Sequence, residues 1–437
     1  MRRSLIIVKY ILLTLLCIPL SPVVSKAYSV VTHEAIIDAL WEKSFQPLLL
    51  QKYPGLTEAQ LKEAHSYAYG GAITPDMGYF PFGSHVFTNL VHYVRSGDFV
   101  NSLLDEVKDA NEYAFALGFL CHYMSDKYGH NIGTNQCVPI VYPKLKEKFG
   151  AAVTYDEDNL SHKRIEFAFD VLQTAKGNYA SQAYHDFIGF HVSRELLERA
   201  FLKTYGITIN SVFRNLSLSI ETFRFSVMSL FPVLTRTAWV IRKNEILKTQ
   251  PTATNISFRY TMSRANYYQQ FGDKSRKPGF MPFVLSWFVR VLPKIGPLAS
   301  LKIKDPGPDA EKLFIQSFDT VLANCHTAMK KISRGKTVFT NIDFDTGNET
   351  VQGEYKPADM NYGKLLVILS KHKFENTNTA LKENMLRFYG NHITKLTKEK
   401  GLKHRDIKKI HASLEALKNK DPISLKQNPV ATELSIK

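Results

Sequence analysis

The stretch "DANEYAFALGFLCHYMSDKYGH", residues 109 to 130, reads as one strong helix with Gly129 as its natural stop. Its end carries His122, Asp126 and His130, spaced four and four. Positions four apart lie on one helix face, one turn apart. His122 and Asp126 can therefore grip one ion. His130 falls at or beyond Gly129, where it can turn towards a second.

Working outward, the rest of the chain has the same periodicity. Residues 28 to 50 read as a helix with Ile36, Ile37, Leu40 and Trp41 on one face. Thr57 and Gln60 form a capping box for a helix over about 57 to 69. "GGAITPDMGYFPFGSH", residues 70 to 85, is rich in Gly and Pro and reads as a loop. "DNLSHKRIEFAFDVLQTA" opens another helix near Asn159 or Ser161, and residues 188 to 230 continue with helical spacing. Few stretches alternate with period two. The expected fold class is all-α, a helical bundle with a mostly helical C-terminal extension.

The bulk numbers agree with a folded protein. Of 437 residues, 44% are hydrophobic, enough for a sizeable core, and 22% are charged, which excludes a disordered polyelectrolyte. The formal net charge is +16. Arg2, Arg3, Lys9 and Lys26, with no acid among residues 1–27, supply +4 of it and leave +12. A basic chain favours anionic partners, nucleic acid or a membrane surface.

The N-terminus has the three parts of an export signal. "MRR" is a positive start, "LIIVKYILLTLLCIPL" an apolar run broken only by Lys9, and Ser25 and Ala27 are the small residues a signal peptidase reads. Cleavage is expected after Ala27, giving a periplasmic or secreted chain that begins at Tyr28. Lys9 and the short run argue against a membrane anchor. The mature chain then holds Cys121, Cys137 and Cys325, an odd number and no disulfide framework. A single bridge, with Cys121 and Cys137 the nearest pair, and buried free thiols are both open.

The expected division is a signal peptide (1–27), a main domain (28–300) and a helical extension with a basic tail (301–437). Residues 279 to 298 are apolar and Pro-punctuated. Phe280, Phe283, Trp287 and Phe288 are flanked by Lys277, Arg290 and Lys294. Such a segment suits a lipid interface, with a hairpin buried over the core as the alternative. In "IDFDTGNET", Asp343, Asp345 and Glu349 read as a solvated loop rather than a calcium site.

Further ligand-type residues flank the His122 helix. Upstream are His33 in "VTHE", Asp76 in "TPD" and His85 in "FGSH"; downstream, His162 and Glu166 form a second i, i+4 pair. Imidazole nitrogen and carboxylate oxygen suit zinc. A lone histidine on an apolar helix is usually a core residue. Two helical pairs with three solitary candidates, in a chain with few cysteines, make a stronger pattern. His65, His92 and His185 read as core residues, with a supporting contact to the ligands the less expected role for His92. His326, His372, His392, His404 and His411 read as surface or structural.

In this order the residues resemble the zinc-dependent phospholipase C family, whose all-helical fold is shared with single-strand-specific zinc nucleases. The pattern is an N-terminal residue, His, Asp, His, His-x-x-x-Asp, His and His-x-x-x-Glu. It is met by Tyr28, His33, Asp76, His85, His122, Asp126, His130, His162 and Glu166. "FGSH" and "SHKRIEFAFD" also look like the family. The likeness covers about residues 28 to 230, with a general likeness of "DTGNETVQGEYKPADMNYG" to bacterial members. Tyr28 stands where the family usually has Trp, and Met77 where choline-preferring relatives have Tyr.

The resemblance implies three zinc ions. Tyr28 (through its amine and carbonyl), His33 and Asp126 would hold one. Asp76, His85, His122 and the bridging Asp126 would hold the second, and His130, His162 and Glu166 the third. It further implies phospholipid headgroup hydrolysis, with Phe82 as a headgroup-site aromatic; Asp76 is the candidate general base for the attacking water. The physics suits that reaction, since metal lowers the pKa of water and neutralises phosphate oxygens. The alternatives are a zinc nuclease of the same fold, phospholipase D-type cleavage and a non-catalytic metal-binding descendant. No aromatic platform for stacking bases is identifiable in the sequence.

Overall fold

The computed structural model describes residues 29–176, 178–179, 189–230, 303–335, 337–390 and 404–423. The export signal, Tyr28, His185, His392 and the apolar segment 279–298 lie outside the described residues. Among those residues the architecture is helical throughout. The extended pairings there are two isolated bridges, Ile342 with Glu349 and Asn378 with Ile423.

Helix α1 (Val30–Leu40) runs through a π-helical turn, Trp41–Phe45, into α2 (Gln46–Lys52). Helix α3 (Glu58–Ile73) starts at the expected capping box. The Gln60 amide donates to Thr57 Oγ1 at 3.3 Å, and the Thr57 amide donates to Gln60 Oε1 at 2.9 Å. The Gly- and Pro-rich stretch is less loop-like than its composition suggests. Its first four residues finish α3, and Thr74–Tyr79 form 3₁₀ turns. Helix α4 (His85–Tyr93) follows, capped by Ser84, then α5 (Ser96–Asp105).

Helix α6 (Ala110–Tyr128) is the central element. Gly129 does not stop it. Its φ of −65° is right-handed helical, and the chain continues as a π-helical turn, Gly129–Thr134, into α7 (Asn135–Val141). His130 is thus carried inside a helical run, with the widened turn re-aiming it. Beyond lie α8 (Pro143–Phe149), α9 (Asn159–Ala175), α10 (Arg194–Tyr205) and α11 (Leu216–Phe225). The C-terminal part supplies α12 (Gly307–Ile332), α13 (Lys356–Lys371), α14 (Thr379–Tyr389) and α15 (His404–Lys418). No helix among the described residues is long and apolar enough to cross a membrane.

Buried side chains from both sides of residue 300 form one core. The Phe314 ring on α12 stacks on Phe169 of α9 at 4.1 Å, and the Cys137 thiol donates to the Ala310 carbonyl at 3.2 Å. All three described cysteines are buried free thiols. The neighbour of Cys121 is Cys325 of α12, which, after burial, helps raise the Cys121 thiol well above its ordinary range.

Two glycines set the approach of α3 to α6. A Cβ on Gly71 would lie 2.0 Å from the Phe115 carbonyl oxygen, and one on Gly118 would lie 2.1 Å from that of Ala68. Each backbone fills the space the other leaves. In a free helix Gly→Ala gains roughly 0.5–1 kcal/mol. Here the clash is with backbone that cannot swing aside, so overpacking wins. Gly118→Ala is expected to destabilise the protein by about 1–3 kcal/mol, read as a lower midpoint in urea unfolding. An unchanged or raised midpoint would show that the two helices can separate without cost.

Candidate metal centre

The close approach of α3 and α6 has a direct chemical product. Ala72 lies in the last turn of α3, where carbonyls lack an intrahelical donor. Its oxygen accepts from His122 Nδ1 at 2.7 Å. A carbonyl can only accept, so Nδ1 carries the hydrogen and Nε2 presents its lone pair. Nε2 faces Asp126 Oδ2 at 3.2 Å, one turn further along α6. His122 is fully buried, and burial lowers its basicity despite the opposing effects of Asp76 and the Ala72 bond. The imidazole is held neutral, the form that binds metal.

The same device recurs twice. His92 Nδ1 donates to the Thr88 carbonyl one turn back on α4 at 2.7 Å. Its Nε2 faces Asp76 Oδ1 at 3.4 Å, Asp126 Oδ2 at 3.5 Å and His122 Nε2 at 3.5 Å. On α9, His162 Nε2 donates to the Val153 carbonyl at 2.5 Å. Its Nδ1 has no hydrogen-bond partner and faces Glu166 Oε1 at 3.7 Å.

His33 on α1 completes the first cluster. Its ring stacks on His122 at 4.4 Å, and its Nε2 lies 3.7 Å from Asp126 Oδ1. Asp170, one turn after Glu166, holds α1 in place. It accepts from the Val31 and Thr32 amides, each at 3.1 Å, and from the Thr32 hydroxyl at 2.7 Å. Burial still lifts this carboxyl to about 6 against those hydrogen bonds. Helix α9 thus sends Glu166 into the site and Asp170 to the helix that carries His33. On the far side, the His130 ring stacks with His162 at 5.6 Å.

Three groups result: His33, His122 and Asp126; Asp76, His92 and His122; and His130, His162 and Glu166. No member is more than 1% exposed. A charge-assisted N–H···O contact would close to about 2.7–2.9 Å. The observed 3.2–3.7 Å separations instead resemble those of two donors around one tetrahedral ion, roughly 3.3–3.5 Å for zinc. Lone pairs turned towards one another by fixed outer hydrogen bonds fit a cation.

Of the residues singled out in the sequence, His33, Asp76, His122, Asp126, His130, His162 and Glu166 fall within these groups. His85 does not. It is exposed at the first turn of α4, and His92, two turns on, stands where a second imidazole meets Asp76 and His122. His92 is fully buried, as a core residue would be, and its Nε2 also lies among the candidate ligands. Phe82 is 52% exposed on the loop before α4, with a left-handed φ of 62°. The Ser219 hydroxyl fixes that turn by donating to the Phe82 carbonyl at 2.6 Å.

Two tyrosines were missed. Tyr79 sits on the 3₁₀ turn after Asp76, its ring 6.5 Å from His92. The Tyr155 ring meets His162 edge-on at 6.0 Å. Burial first, then neighbours that include Asp76 and Asp345 in both cases, raises both phenols, so each remains an O–H donor. The sequence signal was thin: an aromatic three residues after a candidate ligand, and another seven before one.

Fold and site together define an all-helical protein with buried clusters of histidine and carboxylate suited to metal ions. The family model described as zinc dependent phospholipase C matches residues 32–215, and this part of the chain is similar to that family. The match spans less than half of the 437 residues. No curated protein and no solved structure matches the chain.

Proposed function

We propose that the chain is a zinc-dependent phospholipase C with a trinuclear centre, exported and trimmed after Ala27. The observation that carries this reading is the presence of three buried ligand groups, the first two sharing His122, inside the family-matched domain. His33 and Asp126, with the amine and carbonyl of Tyr28, are assigned to one ion. Asp76, His92, His122 and Asp126 are assigned to the second, and His130, His162 and Glu166 to the third. Zinc bound there would lower the pKa of water and offset phosphate charge.

The remaining roles belong to side chains. Asp76 is assigned to accept the proton of the attacking water. Tyr79 and Tyr155, whose phenols burial keeps protonated, are assigned to donate to phosphate oxygens. Phe82, held outward in a conformation that costs a non-glycine residue about 1–3 kcal/mol, is assigned to the lipid headgroup or its glycerol. The basic charge suits an anionic membrane, with segment 279–298 as the proposed interfacial element.

The test is elemental analysis of the mature protein together with a substrate panel. About three zinc ions per chain are expected, with diacylglycerol and phosphorylated headgroup as products. A chain retaining residues before Tyr28 should bind one zinc fewer. Phosphatidate as product would replace this reading with D-type cleavage, and release of nucleotides without lipid hydrolysis with the nuclease. Zinc bound without any hydrolysis would mark a non-catalytic descendant.

A further inference from the structure

The segment that follows the matched domain reaches into the metal centre. Residues 339–347 form no helix, yet hydrogen bonds tie them to four helices. On α5, Asn101 exchanges two bonds of 3.0 Å with Phe339, and the Ser96 hydroxyl donates to the Ile342 carbonyl at 2.6 Å. Tyr123 of α6 donates to the Thr340 carbonyl at 2.9 Å. The Phe344 amide donates to the His92 carbonyl at 3.2 Å, and Asn135 of α7 donates to the Asp345 carbonyl at 2.8 Å. A Cβ on Gly97 would lie 2.2 Å from the Thr340 oxygen, so α5 is cut back to admit the segment. Phe344 then packs its ring 4.9 Å from His92 and 5.9 Å from His122.

Asp345 comes next and is fully buried. Tyr93 donates to its Oδ2 at 2.9 Å, and Tyr355 donates to the same oxygen. Its other oxygen, Oδ1, has no hydrogen-bond partner and faces His130 Nε2 at 3.8 Å. A buried carboxylate with an unused oxygen is costly unless a cationic or N–H partner offsets it. Two phenols fix one oxygen and leave the other aimed at an imidazole of the third ligand group.

We propose that Asp345 is a positioning carboxylate of this metal centre, contributed from outside the matched domain: it orients His130 and strengthens the hold of His130, His162 and Glu166 on a divalent cation. Carboxylates that orient a metal-binding histidine typically contribute about 10–100-fold in metal affinity. The segment that reads from sequence as a solvated loop is thereby a wall of the site, and the family-matched domain is incomplete without it.

The inference rests on the metal-centre reading above. The test is competition for zinc against a chelator, using full-length mature protein and Asp345→Asn. The amide keeps an acceptor oxygen for Tyr93 and Tyr355 but loses the charge. One class of zinc in the variant should bind about 10–100-fold more weakly, with the melting temperature of the metal-free protein unchanged. Equal affinity for every zinc in variant and wild type overturns the proposal. If Asp345→Asn does not fold, Tyr355→Phe serves instead, because it removes one donor and leaves the carboxylate. A several-fold loss for one zinc supports the proposal, and unchanged affinity overturns it. A wild-type protein that binds no zinc refutes the metal centre itself, whereas a zinc-replete wild type with an indifferent variant refutes only the role of Asp345.

Discussion

Replacing Asp126 with alanine is expected to lower phospholipid hydrolysis by roughly 10³-fold, about 4 kcal/mol of transition-state stabilisation. Its two oxygens serve different neighbours. Oδ1 lies 3.7 Å from His33, while Oδ2 lies 3.2 Å from His122 and 3.5 Å from His92. One substitution therefore removes the link between the first two ligand groups, leaving His33 without its carboxylate. Zinc content should fall by at least one ion per chain. The stability readout separates this from simple damage. Asp126 is a fully buried acid among fixed lone pairs, so the metal-free variant should melt no lower than metal-free wild type. The stabilisation gained on adding zinc should shrink, because ligand binding stabilises only in proportion to its occupancy. Full zinc content with full activity in Asp126→Ala would remove this residue from the centre.

How much of this was legible in the sequence depends on the distance over which each feature acts. The pairs His122 with Asp126 and His162 with Glu166 are set by helical period alone, and their i, i+4 spacing already carries their geometry. The capping box at Thr57 was legible for the same reason. Gly129 was misread because glycine permits a helix stop without requiring one, and tertiary contacts around the π-helical turn decide. One is the packing of Ser317 on α12, whose Oγ would lie 2.7 Å from a Cβ on Gly133. Asp345 was illegible because its environment is built from α4, α7 and Tyr355, elements remote from one another in sequence. Its acidic, glycine-containing surroundings resemble any surface loop. Carbonyl acceptors such as Ala72 and Val153 could not be found at all, since every residue has one and only the fold selects which faces an imidazole.

The sharpest contrast concerns two histidines seven residues apart on α4. Order along the chain cannot choose between His85 and His92, because seven residues make about two turns and return to the same face. Local chemistry does choose. Ser84 caps the helix through the Phe87 amide at 3.2 Å and leaves His85 exposed in the first turn. His92, at the buried end, finds the Thr88 carbonyl for its Nδ1 hydrogen and turns Nε2 to Asp76. His92→Ala is therefore expected to lose roughly 10²-fold or more in hydrolysis, about 3 kcal/mol or above, together with one zinc. His85→Ala should stay within about threefold, since a surface substitution away from such a site usually changes little. Removing the His92 ring also opens a space beside Phe344, so a modest fall in melting temperature is expected for that variant. Assays run well below both midpoints keep that cost out of the rate. The decisive measurement is zinc content and rate for the two variants side by side. If His85→Ala loses zinc and activity while His92→Ala retains both, the second ion is held at the mouth of α4 rather than at its buried end.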